Sequence, residues 1–166
     1  MSFRDEPMRR AREYADRRRL TIGKELGFGV HGIVFVMESP ASNRQSAVKA
    51  HQRELDYLRE RDVYLRLLEC NVMKIRNFEV PQFIDCYDEL WVLEITIVSR
   101  PYLLDFAGAY LDKPLDFSEE VMADWYADKV EQFEHRWPEV QAILAILETY
   151  GIFMEDVNPK NITFAD

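Results

Sequence analysis

Apolar and polar positions change period several times along the chain. In 20–26, "LTIGKEL", Leu20, Ile22 and Leu26 share one face of an alternating stretch. Three glycines follow, and then "IVFVM", a β-branched and aromatic run with no helix start signal. This pattern predicts a β-hairpin with the glycines in its turn. A loop rich in turn formers, "ESPASNRQ", leads to a short strand, "SAVKA". Residues 51–69, "HQRELDYLRERDVYLRLLE", lack Gly and Pro and predict a helix. "QFIDCYDE" and "LWVLEITIV" alternate again and predict two more antiparallel strands, with "SRPYLL" as a hinge after them. Most of 103–150 is expected to be helical: "LLDFAGAYL", then "FSEEVMADWYADKVEQF" capped by Ser118, then "WPEVQAILAILETY" with Pro138 in its first turn and Gly151 at its end.

The expected fold class is α+β: a basic N-terminal helical arm at 1–19, a sheet-based lobe at 20–98 and a mainly helical lobe at 99–166. A chain of 166 residues suffices for one domain or two small lobes sharing a hinge. Net charge is −9, but residues 1–19 hold seven Arg against four acids, which leaves −12 for the rest. An acidic body repels nucleic-acid backbones, so nucleic acid is not the expected partner, and the arm is expected to lie as a helix on that body. The 1–19 stretch has no apolar core, and the apolar run 90–98 is short and interrupted by Glu94. No membrane association and a cytoplasmic location are therefore expected. Cys70 and Cys86 lie in apolar segments without metal-ligand spacing and read as free core thiols.

Candidate chemistry begins with Gly27, Gly29 and Gly32, a G-x-G-x-x-G pattern. In a dinucleotide-binding fold such glycines open a helix. Here a strand follows, which excludes that architecture. Lys49 lies one strand further on. On the helical wheel of 51–69, Glu60 falls within about 60° of Tyr57, Val63, Tyr64 and Leu67. A carboxylate on an apolar face needs a buried partner, and Lys49 can supply it. Near the C-terminus, "DVNPKN" is turn chemistry joining a helix to a strand.

Together these residues resemble the protein kinase family over 20–164. Gly27, Gly29, Gly32 and Val34 match G-x-G-x-x-G-x-V, Ala47-Val48-Lys49 matches A-x-K, and Asp156 and Asn161 have the spacing of H-R-D-L-x-x-x-N. The resemblance implies a protein-kinase-like fold, with a five-stranded antiparallel small lobe carrying one helix and a truncated, mainly helical large lobe. It implies ATP binding, with the glycine hairpin over the triphosphate and Lys49 on the α- and β-phosphates. Leu26, Val34, Ala47 and Leu93 would form the adenine slot, with backbone from Glu94 to Thr96 on the adenine edge. Glu60 would orient Lys49, Asp156 would act as base, Lys160 would stand beside it, and Asn161 would be a metal ligand.

Departures from the family pattern shape the rest. Met154-Glu155 replace His-Arg, and no D-F-G or A-P-E exists. Mg2+ is therefore expected to be weakly held. Asp166 stands five residues after Asn161, about 15 Å along an extended strand, too far to serve as the missing ligand. The implied acceptor of the γ-phosphoryl group is a small molecule or a partner. The alternative is an inactive pseudokinase acting as a nucleotide-binding interaction module. The apolar run 142–147, "AILAIL", needs cover on several sides and leads to the expectation of a homodimer or a bound partner.

Overall fold

The computed structural model describes residues 2–166. Helix α1 (Asp5–Arg18) comes first, followed by the glycine hairpin β1 (Thr21–Gly29) and β2 (Gly32–Ser39), and then by β3 (Arg44–His51). Helix α2 (Glu54–Glu69) leads to short strands β4 (Lys74–Ile75) and β5 (Phe78–Glu79), then β6 (Phe83–Tyr87) and β7 (Val92–Ile95). β8 (Tyr102–Leu103), β9 (Ala109–Leu111), α3 (Glu119–Phe133), α4 (Trp137–Thr149), β10 (Ile152–Met154) and β11 (Ile162–Thr163) complete the chain.

The first half is an antiparallel five-stranded sheet in the order β1-β2-β3-β7-β6. Its two faces are covered differently because side chains alternate across each strand. On one face Ala47, Leu93 and Ile95 join Tyr57, Val63, Tyr64 and Leu67 of α2 in the main core. On the other, Ile33, Phe35, Met37, Val48, Ala50 and Val92 pack against Ala11, Tyr14 and Ala15 of α1. The basic arm is thus a helix laid on the outer face of the sheet. Arg10, 4% exposed, donates from its guanidinium to the His51 carbonyl at 2.8 Å and stacks over the Trp91 ring.

Two features differ from the sequence reading. The segment "LLDFAGAYL" is not a helix: Leu103 belongs to β8, Ala109–Leu111 to β9, and Asp105 between them has φ +60°, outside the right-handed helical region. Its apolar residues satisfy helical spacing, but pairing with β10 and β11 outweighs that local preference. The cysteines are not core thiols either. Cys70 is exposed at the end of α2, and Cys86 is half-buried in β6 at the sheet edge.

In the second half, Ser118 caps α3 by accepting from the Val121 amide at 3.3 Å, and Pro138 opens α4. Of the 142–147 run, Ile143 and Leu147 are fully buried, Ala142, Leu144 and Ile146 are half-buried, and Ala145 is exposed. Among the described residues no helix is long and apolar enough to cross a membrane.

Candidate functional site

Strand pairing in the second half brings two loops together. Residues 155–161 hang between β10 and β11, and residues 104–108 hang between β8 and β9. Because β10 pairs with β9 and β11 with β8, the loops lie across one another. The Glu155 amide donates to the Gly108 carbonyl at 3.2 Å, and the Leu104 amide donates to the Asn161 carbonyl at 2.8 Å. Gly108 makes the crossing possible, since a Cβ there would stand 2.9 Å from the Asp156 Cβ. Asp105 and Asp156 consequently face one region of space.

Lys49 points into that region from β3. Its ammonium donates to Glu60 Oε2 at 2.8 Å and to Asp105 Oδ1 at 3.0 Å. Glu60 is 1% exposed and has two further donors near it, the His51 ring nitrogen Nε2 at 2.7 Å and the Phe106 amide at 3.3 Å. Burial pushes the Glu60 carboxyl up, but the Lys49 charge and the His51 contact outweigh it and hold the group at about 2. Burial also pulls Lys49 down, and the charges of Glu60 and Asp105 more than offset this, so the ammonium form is kept. Lys49 is thus a buried, fixed cation held between Glu60 and Asp105.

The hairpin closes the region from above. His31 at its tip places Nδ1 3.3 Å from Asp56 Oδ2 and Nε2 3.8 Å from Asp156 Oδ2. The second distance is an ion-pair separation rather than a hydrogen bond. His31 nevertheless holds the Asp156 carboxyl below the ordinary carboxylate range, and Asp156 in turn raises the imidazole. Gly27 and Gly29 face open space, whereas Gly32 has φ +147° and a Cβ there would lie 2.2 Å from the Ala50 carbonyl oxygen.

Most of the residues singled out from the sequence converge here: Lys49, Glu60, Asp156 and the glycine hairpin, with Asn161 5% exposed and donating to the Asp156 carbonyl at 2.9 Å. Val34, Ala47 and Leu93 share the inner face of the sheet, and Leu26 stands half-exposed on β1 near its end. Glu94 differs. Its side chain turns to the outer face, where it accepts from Tyr14 and from Ser46, each at 2.6 Å. The Thr96 amide donates to the Gln82 carbonyl at 2.9 Å, so it is already engaged. Lys160 is exposed. Asp166 is exposed and pairs with Arg136, outside the cluster.

Three participants were not singled out from the sequence: Asp105, His31 and His51. Asp105 begins Asp-Phe-Ala-Gly, a D-F-G interrupted by one residue and lying ahead of the Asp156 segment in the chain. Its Phe106 is fully buried and packs edge-on against Tyr64 of α2, with ring centroids 5.3 Å apart.

Two cavities of about 410 and 430 Å3 lie elsewhere, one between α1 and Trp91 and the other among α3, α4 and β10; neither is lined by Lys49, Asp105 or Asp156. No family model, curated protein or solved structure matches the chain.

Proposed function

We propose that the protein is a kinase-like phosphotransferase that binds ATP under the glycine hairpin and passes its γ-phosphoryl group to a small molecule or a partner. One observation carries this reading: a buried lysine is held 2.8 Å from a helix glutamate on the strand beside a glycine hairpin, facing two aspartates. Structural ion pairs alone do not need a glycine hairpin above them with open space at Gly27 and Gly29.

Each residue then has a task. Val34, Ala47 and Leu93 offer an apolar floor for a base, with Leu26 above it. Lys49 sets a point charge against phosphate oxygens, and Glu60 keeps it aimed. Asp156, held ionised, accepts the proton of the acceptor hydroxyl. The acceptor oxygen bonds to the γ-phosphorus, the bond to the β–γ bridging oxygen breaks, and ADP leaves. Asp105 and Asn161 bring oxygen donors of the kind Mg2+ takes. Bound Mg2+ would supply charge neutralisation at the β- and γ-phosphates. The inactive alternative drew on the lack of a D-F-G aspartate, and Asp105 beside Lys49 weakens that ground.

The test is calorimetry of ATP with Mg2+ on wild type and Lys49→Met, followed by turnover of wild type and Asp156→Asn. Lys49→Met should lower affinity at least about tenfold, or 1.4 kcal/mol. Asp156→Asn should lose transfer and keep ATP affinity. No ATP binding by wild type, or equal affinities, would refute nucleotide binding; an Asp156→Asn protein as active as wild type would refute the base.

A further inference from the structure

We propose that His31, Asp105 and Asp156 form a site for a divalent transition-metal ion, such as Mn2+ or Zn2+, that assembles without nucleotide. The site shares Asp105 and Asp156 with the proposed transfer centre and so deepens that reading, yet it does not depend on ATP.

Each of the three offers one ligand atom, and these atoms lie within 4.8 Å of one another. They come from three separate places: the hairpin tip, the loop after β8 and the loop after β10. Two ligands of one ion with bonds of about 2.1 Å stand roughly 3.0 to 4.2 Å apart, from cis to trans. The 3.8 Å between His31 Nε2 and Asp156 Oδ2 already falls in that range. All three residues are half-buried, and small rotations would bring in the rest.

A second observation concerns what holds these side chains. His31 Nδ1 faces Asp56, whose side chain is 1% exposed and which accepts from Arg53 at 2.9 Å. A carboxylate on the far nitrogen of a histidine fixes its tautomer and aims the near nitrogen, the arrangement typical of metal-bound imidazole. Asp156 Oδ1 accepts from Asn158 at 3.0 Å, leaving Oδ2 toward His31. Asp105 Oδ1 accepts from Lys49 and from the Ala107 amide, and its second oxygen makes no hydrogen bond among the described residues. Thus each ligand has one atom tied by a neighbour and one left over, and one ligand atom of each residue lies within 4.8 Å of the others.

Charge and ligand type set the class of ion. Lys49 is matched by Glu60, and Arg53 by Asp56, so Asp105 and Asp156 leave an excess of negative charge. Imidazole beside two carboxylates suits Mn2+, Fe2+ and Zn2+, whereas Mg2+ prefers oxygen alone. Such an ion would tie the glycine hairpin to both loops below it.

The experiment uses nucleotide-free full-length protein titrated with Mn2+, with Zn2+ and with Mg2+ by calorimetry, and pulsed electron paramagnetic resonance of the Mn2+ complex. One Mn2+ per chain is expected, displaced by Zn2+ and showing coupling to an imidazole nitrogen. His31→Ala should abolish that coupling and weaken Mn2+ at least about tenfold, with little change for Mg2+. Asp105→Asn should weaken all three ions. Thermal melts of each variant identify any that fail to fold, and the nitrogen coupling in wild type needs no variant. Absence of Mn2+ binding without nucleotide, Mn2+ binding that His31→Ala leaves unchanged, or bound Mn2+ without nitrogen coupling would each overturn the site. Mn2+ binding in a protein that ignores ATP would refute the transfer reading and leave the metal site standing.

Discussion

Gly108 lies against Asp156 so closely that a Cβ on the glycine would meet the Asp156 Cβ at 2.9 Å. A side chain at position 108 would press on the Asp156 Cβ, which is bonded directly to the backbone, so the crossed loops themselves would have to shift. Gly108→Ala should therefore lower the melting temperature and displace the carboxylate by a fraction of an ångström. Misplacement on that scale is expected to cost transfer about tenfold or more. Steady-state turnover beside an ATP titration checks it: wild-type turnover in Gly108→Ala would separate Asp156 from the chemistry.

The Lys49–Glu60 pair makes an acid-dependent prediction. The folded Glu60 carboxyl sits at about 2, below its ordinary 4.5, so the pair contributes stability above pH 4.5 that is lost as pH falls toward 2. Denaturant unfolding at about pH 5 and about pH 3 should show wild type exceeding Glu60→Gln by more at the higher pH. Lys49→Met leaves a buried carboxylate without its cation and should cost about 3–5 kcal/mol. The double variant should cost less than the two single changes together. Full additivity would mean that the two charges do not support one another.

The glycines should divide by function. Gly32→Ala meets the Ala50 carbonyl at 2.2 Å in a backbone conformation suited to glycine, and should destabilise by more than about 1 kcal/mol. Gly27→Ala and Gly29→Ala meet nothing within 4 Å and should fold as wild type does. Their loss should appear in ATP affinity, because a methyl group there keeps phosphate away from the backbone. Melting curves and calorimetry on the three variants distinguish the two effects.

On the outer face of the sheet, Tyr14→Phe removes one of two hydroxyls that donate to buried Glu94. The cost should be about 1–3 kcal/mol, seen in denaturant unfolding, with ATP and Mn2+ binding unchanged. A Tyr14→Phe protein with altered ligand binding would mean that α1 communicates with the inner face.

The first half of the chain was largely legible in the sequence because its signals are local. Alternation marked the strands, the glycines marked the hairpin, and the wheel position of Glu60 anticipated its pairing with Lys49. Asp105 escaped for a physical reason. Its segment has helix-compatible spacing, and only pairing of β8 with β11 and of β9 with β10 makes it a loop between strands. Those partners lie far away in sequence, beyond any window of hydrophobic periodicity. His31 escaped because a residue between glycines reads as turn filler until Asp56 and Asp156 are seen around it.

The crossed loops also bear on how the protein breathes. Glu155 holds Gly108, and Asn161 holds Leu104, so neither loop can leave without freeing the other. Their opening is then a single event, and the amide hydrogens of Leu104 and Glu155 should exchange with solvent at a common rate. An ion held between the loops would slow both amides by the same factor. The two aspartates would then be lost or kept together, as one cooperative unit.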